Sequence, residues 1–260
     1  MIELRGLRVV YHARTPDERV ALDNIDLTLP DGSFTVVVGT NGAGKSTLLN
    51  AIAGSVRPAA GGVLVDGIDV TDWPVHRRAG LAARVFQDPM VGTAAALTIE
   101  ENLALAHRRG LRRGLRLAID AARRSRYREL LAPFGLGLED RLRSPAGLLS
   151  GGQRQVLALV MATLARPAVL LLDEHTAALD PRIAGLVMAA TAEVVAAEHL
   201  TTLMITHNMQ QALDHGDRLL MMDAGRIRLD LDAAARRDLT VADLVKRFGT
   251  QADHLLLQAG

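Results

Sequence analysis

Three short runs of apolar residues, each ending at a small or polar residue, stand out in the hydrophobic pattern of the chain. They are Phe34–Val38 before Gly39, Val169–Leu172 before Asp173, and Thr202–Ile205 before Thr206. Unbroken runs of this length are typical of strands buried on both faces of a parallel sheet. Ligands of such sheets bind outside the carboxyl ends of the strands, so the residues after each run are the first candidates for a site.

Helical patterns follow the three runs and predict the βαβ units of an α/β core; they cover residues 45–53, 181–197 and 209–214. Apolar and polar positions alternate within residues 1–30 and 60–70. This alternation is typical of antiparallel strands with one buried face. The sequence therefore predicts an α/β fold with a mainly parallel sheet and a flanking antiparallel β subdomain.

The pattern turns helical and rich in arginine from about residue 88 to residue 165. We interpret this stretch as an inserted helical subdomain. Residues 240–248 have the period of one amphipathic helix. The predicted organisation is a single domain over 1–260, with the core and the β subdomain in 1–87 and 166–230, the helical subdomain in 88–165 and a helical tail in 231–260.

Composition narrows the classes of protein that fit this pattern. A chain of 260 residues that is 49% hydrophobic can fold around a large core, and its apolar runs are shorter than a bilayer crossing needs. The first eight residues carry charges at alternate positions, which predicts a strand and not a signal peptide, so we expect a cytoplasmic protein. The absence of cysteine excludes disulfides and thiolate chemistry. A net charge of +1 gives no general reason to expect a nucleic-acid partner.

A phosphate-binding pattern lies between the first buried run and the helix after it. Gly39–Ser46 match G-x-x-x-x-G-K-S/T, and Lys45 is one of two lysines in the chain, the other being Lys246. The glycines let successive N–H groups point at phosphate oxygens, and the helix start adds its positive dipole end. Lys45 is expected to reach the β- and γ-phosphates, and the Ser46 hydroxyl to bind Mg²⁺.

An ordinary glycine-rich turn is the alternative, but such a turn has no need of a rare lysine. The sequence therefore predicts ATP and Mg²⁺ as cofactors. The candidate nucleotide-binding residues of this loop are Gly39, Thr40, Asn41, Gly42, Ala43, Gly44, Lys45, Ser46 and Thr47.

The other two runs end in residues that complete a nucleotide-hydrolysing site. Asp173 fits a magnesium ligand acting through water, and Glu174 fits a general base that positions the attacking water. His207 follows the third run and can hydrogen-bond the γ-phosphate or that water. The alternatives are solvated carboxylates at a strand end and a structural histidine. The three positions together favour catalytic roles for Glu174 and His207.

A second glycine-rich helix start lies further along the chain. A strongly apolar helix begins with the segment Ser150, Gly151, Gly152 and Gln153, in which Ser150 is a candidate N-cap. Exposed N–H groups at such a start make a second anion site, although a plain helix cap is the alternative. One nucleotide cannot easily use both starts in a single chain, so we expect a neighbouring copy to supply the second one.

These motifs, in this order, resemble those of the ATP-binding subunits of ABC transporters, and the resemblance covers nearly the whole chain. Gly39–Ser46 is similar to the Walker A loop, Leu149–Gln153 to the family signature, Leu170–Glu174 to Walker B and Ala178–Asp180 to the D-loop. Gln87 resembles the Q-loop glutamine, His207 the switch histidine, and Tyr11 the aromatic residue that stacks on adenine. The resemblance implies a P-loop NTPase core of the ABC ATPase type.

The resemblance also implies partners and roles. Two copies form a head-to-tail dimer in which ATP lies between one Walker A loop and the other signature. ATP-driven closure drives transmembrane permease subunits, served by a periplasmic or lipid-anchored substrate-binding protein, at the cytoplasmic face of the inner membrane. Gln87 senses magnesium and the γ-phosphate, and Asp180 couples the two sites. The resemblance favours import of a small solute, with amino acids only weakly indicated. His175 stands where many members carry proline, and whether it contacts Glu174 stays open.

Other functions are compatible with part of these motifs. A soluble ABC-type ATPase that acts on ribosomes, DNA or an assembly complex is the alternative, although the paired cassettes or long coiled-coil insertion of such proteins are absent from this sequence. A P-loop small-molecule kinase has no use for the signature. The arginine-rich stretch from His107 to Arg128 is interpreted as a solvated helical face, with lipid or permease contact as the alternative.

Overall fold

The structure, a computed structural model, describes residues 1–109 and 119–248. Its strands are β1 (Ile2–Tyr11), β2 (Arg19–Leu29), β3 (Phe34–Gly39), β4 (Ala60–Val65), β5 (Ile68–Asp69), β6 (Ala82–Val85), β7 (Val169–Asp173), β8 (Thr202–Ile205), β9 (Arg218–Asp223) and β10 (Arg226–Leu231). Its α-helices are α1 (Lys45–Ala53), α2 (Val75–Arg78), α3 (Ile99–His107), α4 (Ala121–Leu131), α5 (Gly151–Thr163), α6 (Pro181–Glu198), α7 (Met209–Asp214), α8 (Ala233–Arg236) and α9 (Val241–Phe248). The chain divides into two compact units, the first from Met1–Arg78 with the chain from His199 onward, and the second from Ala79–Glu198.

The first unit contains strands of two kinds. An antiparallel sheet has the order β2-β1-β4-β5, as the alternating pattern predicts. In the other group β3 pairs in parallel with both β8 and β9, and β10 runs antiparallel to β9. Every residue of β3 is buried, which is why its sequence is an unbroken apolar run. The helix α1 is the next element after β3, and α7 is the next element after β8.

The second unit combines a parallel strand pair with helices. Strands β6 and β7 pair in parallel, and α6 follows β7. The helices α3, α4, α5 and α6 contribute to one apolar core, which includes Ile99, Leu103, Tyr127, Val156 and Val187. The helical stretch predicted within 88–165 belongs to this unit. The α/β fold with its antiparallel subdomain is confirmed, whereas the predicted internal domain boundaries stay a prediction.

Three strands are absent from the sequence-based prediction, namely β6, β9 and β10. Strand β10 alternates charged and apolar residues, a pattern that solvent-facing strands share with loops. Within the described residues no helix has both the length and the apolar character that a bilayer crossing requires. Part of the arginine-rich stretch, residues 110–118, and the end of the predicted tail, residues 249–260, lie outside the described residues.

Candidate nucleotide-binding site

The phosphate-binding loop lies between the end of β3 and the start of α1. Gly39 ends the strand with φ 152°, and a side chain there would overlap the carbonyl oxygen of Met222. Gly44 precedes the helix with φ 101°, and a Cβ atom there would lie 2.5 Å from the carbonyl oxygen of Ala21. Both positions therefore require glycine, because an L side chain is disfavoured by the backbone angle and blocked by neighbouring backbone.

The first turn of α1 combines uncapped backbone donors with a buried cation. Within the described residues no side-chain hydrogen bond caps the start of this helix, whose N-cap is Gly44. Lys45 is only 7% exposed, and its Nζ donates to the carbonyl oxygens of Gly39 at 2.7 Å and Thr40 at 3.0 Å. Ser46, next along the helix, is exposed. A positive charge at a helix start that has no side-chain cap is typical of a phosphate-binding position.

Neighbouring segments brace the loop from outside. The carbonyl oxygen of Gly42 accepts a hydrogen bond from Nη2 of Arg19 at 3.1 Å. The carbonyl oxygen of Ala43 accepts one from the backbone N–H of Gly225 at 3.0 Å. Asn41 and Gly42 at the loop tip are exposed. The loop is thus held at its carbonyl groups while its tip stays accessible to a ligand.

Tyr11 lies beside the first turn of α1. It ends β1, it is half-buried, and its hydroxyl oxygen is 3.5 Å from Oγ1 of Thr47. The structure therefore brings the predicted adenine-stacking residue next to the last residue of the predicted phosphate-binding segment.

His207 lies at the same sheet edge as the phosphate-binding loop. In the parallel pairing of β3 with β8, Val37 is opposite Ile205, and the N–H of Thr206 donates to the carbonyl oxygen of Val37 at 3.2 Å. His207 follows directly and is half-buried. Because Gly39 and His207 each lie two residues past this pair, both occupy the carboxyl end of the strands, where sheets of this type bind ligands.

The second unit contains the two predicted carboxylates at the end of β7. Asp173 ends the strand, and its Oδ2 atom forms an ion pair with Nη2 of Arg84 on the neighbouring strand β6. Glu174 has φ 45°, in the left-handed region, and its carbonyl oxygen accepts a hydrogen bond from the N–H of Ala177. A left-handed conformation at a residue other than glycine is strained, so the surrounding contacts must hold Glu174 in it.

The segment after Glu174 is fixed to α6. Nε2 of His175, which is only 2% exposed, is 3.1 Å from Oγ1 of Thr191. The Thr191 hydroxyl donates to the carbonyl oxygen of Val187, so it must accept from His175, whose Nε2 therefore carries the proton. Asp180 accepts a hydrogen bond from the N–H of Ile183 at 3.1 Å at the start of α6. The imidazole of His175 thus serves as an anchor to the helix.

The predicted sensor, Gln87, lies just past the end of β6. Val85 is paired with Leu172, so Gln87 and Glu174 each follow the last pair by two residues. Gln87 is exposed. The preceding carbonyl oxygen, that of Phe86, accepts a hydrogen bond at 3.2 Å from Nε2 of Gln155, a fully buried residue of α5.

The second glycine-rich helix start has the geometry of a capping box. The N–H of Gln153 donates to Oγ of Ser150 at 3.3 Å, and the N–H of Ser150 donates to Oε1 of Gln153 at 3.1 Å. Ser150 and Gly151 are exposed, whereas Gly152 is buried. The predicted capping role of Ser150 is present, and the exposed start of α5 can face an anion.

The predicted magnesium ligands are single oxygen atoms, that of Ser46 in the first unit and that of Asp173 in the second, so the nucleotide would have to supply most of the other ligands. Within the described chain no group of three or more histidine, aspartate or glutamate side chains could hold a metal ion. Magnesium in nucleotide sites is usually held by one or two protein oxygens, phosphate oxygens and water. The exposed hydroxyl of Ser46 and the strand-end carboxylate of Asp173 are oxygen ligands of this kind.

The predicted site residues fall into one group in each unit. The first unit holds Tyr11, residues 39–47 and His207, and the second holds Gln87, residues 150–153, Asp173, Glu174 and Asp180. Sequence reasoning missed Arg84 and Gln155, which contact Asp173 and the Gln87 segment. No sequence signal marks them, because arginine is common in this chain and a buried glutamine on an apolar helix has no motif of its own.

A phosphate-binding loop between a parallel strand and a helix, in an α/β fold with paired carboxylates ending another strand, defines the class of P-loop nucleotide-binding ATPases. A sequence profile of the ABC transporter family matches residues 22–177. The chain belongs to this family, as an ATP-binding, ATP-hydrolysing subunit of an ATP-driven transporter.

Individual relatives agree with this placement. A tyrosine transport ATP-binding protein of Clostridioides difficile is 38% identical over 95% of this chain and 98% of its own length. A methionine import ATP-binding protein of Rhizobium johnstonii is 37% identical over 80% of this chain, which spans only 55% of that relative. Among solved structures, an ATP-binding cassette determined as a dimer in a post-hydrolysis state with ADP and phosphate has a TM-score of 0.77 and 27% identity, over 90% of this chain and 99% of that one.

Proposed function

We propose that two copies of the chain bind two ATP molecules between them, and that ATP binding closes the dimer. This closure powers import of a small solute through membrane permease subunits. One observation carries the proposal: the chain has two separate helix starts that can bind an anion. One is at Lys45, with its buried ammonium, and the other is at Gly151, which is exposed. A triphosphate held between these starts from two chains would join the copies head to tail.

Each group of predicted site residues contacts a different part of the bound nucleotide or its metal ion. Residues 39–47 bind the phosphates, with Lys45 as their cation, and Tyr11 stacks on the adenine. Ser46, Asp173 and Gln87 hold the magnesium ion directly or through water. Bound Mg²⁺ supplies positive charge that neutralises the phosphate oxygens. Ser150–Gln153 of the partner copy cover the opposite side of the triphosphate.

Hydrolysis needs a group that orients the attacking water and a group that stabilises the γ-phosphoryl group as it passes from ADP, the leaving group, to that water. Glu174, in its strained left-handed conformation, positions the attacking water as general base. His207 hydrogen-bonds the γ-phosphate or that water. Asp180, at the start of α6, couples the two sites across the dimer. Because Glu174 is present, both sites of a homodimer are competent to hydrolyse ATP.

We infer an amino acid as the solute class from two of the relatives. The tyrosine transport relative aligns over nearly the full length of both chains, and a second relative bears the name of a methionine importer. The solute itself would be selected by the permease and by a periplasmic or lipid-anchored binding protein. The chain would then work at the cytoplasmic face of the cell membrane, without binding nucleic acid.

The alternative is an ABC-type ATPase without a membrane partner. A tagged chain expressed with its neighbouring genes separates the two functions by what it co-purifies. A multi-span membrane protein supports the transporter. Ribosomes, DNA or an assembly complex in place of a membrane protein would support the alternative.

The Glu174→Gln variant tests the dimer proposal. The amide is neutral and a poor base but nearly the same size, so we expect ATP binding to persist, turnover to stop and an ATP-dependent dimer to accumulate. Light scattering with and without ATP measures the dimer. Lys45→Ala is the control, because loss of the cation should remove most nucleotide affinity and therefore the dimer. A Glu174→Gln variant that hydrolyses ATP at the wild-type rate would contradict the role of Glu174.

A further inference from the structure

Inside the second unit an ion pair joins the proposed magnesium carboxylate to the strand that leads to Gln87. Nη2 of Arg84 contacts Oδ2 of Asp173, and each side chain is 15% exposed. The two residues lie on the paired parallel strands β6 and β7. The pair is thus largely shielded from solvent and takes up one of the two oxygens of the carboxylate.

Arg84 is also in contact with the segment after its own strand. The guanidinium carbon of Arg84 lies 4.7 Å from the centre of the Phe86 ring. The carbonyl oxygen of Phe86 accepts the hydrogen bond from Gln155 of α5, the helix that begins just after Ser150. A continuous series of contacts therefore runs from α5 through Phe86 and Arg84 to Asp173.

We propose that Arg84 is a positioning residue for the magnesium site: it holds Oδ2 of Asp173 and so fixes the carboxylate that would bind the metal, directly or through water. This inference rests on the proposed role of Asp173. Through its contact with the Phe86 ring, Arg84 takes its own position from the segment that carries Gln87. A shift of that segment is then passed to the metal ligand.

Arginine suits both contacts better than lysine does. The guanidinium group is planar and always charged, so one face can stack on an aromatic ring while one edge binds a carboxylate. A lysine ammonium can keep the charge near Asp173, but it has no flat face and no fork. We therefore expect Arg84→Lys to weaken magnesium binding, but less than Arg84→Met does.

Magnesium dependence of nucleotide binding tests the proposal apart from turnover. A fluorescent ATP analogue is titrated at several Mg²⁺ concentrations and also in excess EDTA. Residues that hold a metal ligand in place typically contribute about 10–100-fold to metal affinity or activity. We expect Arg84→Met to raise the half-saturating Mg²⁺ concentration about 10-fold or more, with Arg84→Lys in between and binding in EDTA unchanged.

Asp173→Asn is the reference variant, and the variant with both substitutions completes a double-mutant cycle. If Arg84 acts through Asp173, then Arg84→Met adds little once Asp173→Asn is present. If Arg84→Met keeps the wild-type magnesium dependence while Asp173→Asn changes it, the proposed role of Arg84 is overturned and that of Asp173 is not. Unchanged magnesium dependence in Asp173→Asn overturns instead the proposed metal role of Asp173. If Arg84→Met does not fold, Arg84→Lys carries the test, and a wild-type titration curve for it overturns the proposal.

Discussion

His215 is the C-cap residue of α7 and lies in surroundings that disfavour its positive charge. Burial lowers the pKa of the imidazole below its ordinary value, and the nearby charge of Arg236 acts in the same direction. The carboxylate of Asp214 opposes both effects without cancelling them. The guanidinium of Arg236 also donates to the carbonyl oxygen of His215 at 2.7 Å, so the two residues are held together.

This environment predicts a loss of stability on acidification. The unfolded chain binds the proton at a higher pH than the folded chain does, so the contribution of His215 is full above the ordinary pKa and is lost as the pH falls through the lowered folded value. Urea unfolding at about pH 7.5 and about pH 5.5 measures the loss. His215→Gln, which cannot titrate in this range, should lose less stability. Equal losses in the two proteins would contradict the assignment.

At the residue scale the sequence predicted those roles that a fixed spacing defines. Gly39, Gly44 and Lys45 were identifiable because a phosphate loop constrains both backbone and charge, and the structure shows glycine required at both positions. The contact between Arg84 and Asp173 could not be predicted. It depends on the register of two strands far apart in sequence, and a sequence pattern does not state which strands are neighbours.

Packing of α5 against α6 depends on one glycine of the signature segment. A Cβ atom at Gly152 would overlap Cγ2 of Ile183, which is fixed on a β-branched side chain. At Gly151 the nearest atom, Cδ2 of Leu179, lies 3.4 Å from such a Cβ, at the edge of ordinary contact. A Cβ atom therefore fits at Gly151 but not at the adjacent position, Gly152, unless Ile183 moves.

We expect Gly152→Ala to destabilise the protein by about 1–3 kcal/mol, because an overfilled contact forces the two helices to shift. Gly151→Ala is the matched control. It adds the same atom at a place with room, and alanine favours a helix interior by about 1 kcal/mol over glycine, so at this first helical position its effect should lie between neutral and about 1 kcal/mol stabilising. Urea unfolding compares the two variants with the parent protein. Equal stability of the two alanine variants would show that Ile183 does not restrict this position.

At the element scale the apolar runs and the helices after them were predictable, because a strand covered on both faces needs an unbroken run. The predicted runs correspond to β3, β7 and β8, and the predicted helices to α1, α6 and α7. Strand β9 was missed although Leu219–Met222 are buried, since a short apolar run fits a strand or a helix equally well. Strand β10 was missed because its charged residues alternate at an exposed edge.

At the scale of the whole molecule, the predicted site residues lie in two compact units. The first unit holds the phosphate loop and His207, and the second holds Asp173, Glu174 and the start of α5. The motifs and their order were readable from the sequence, and so was the family. The proposal that the α5 start acts on the nucleotide of a partner copy makes the complete site a property of two chains.

Complementation between two inactive variants tests whether a partner copy completes the nucleotide site. Lys45→Ala disables the phosphate loop. Gly151→Asp places a negative charge against the phosphates at the α5 start, where an acidic residue also suits the helix dipole and should not harm the fold. In a mixed dimer one site then carries both changes, and the other site is intact.

We expect each variant alone to lack ATPase activity. An equal mixture should recover about a quarter of the wild-type rate if the chains pair at random, and up to about half if only mixed dimers form, because each mixed dimer has one intact site of two. Differently tagged chains and a pull-down with ATP verify that mixed dimers form. A mixture that contains mixed dimers but stays as inactive as its components would contradict a nucleotide site shared between two copies.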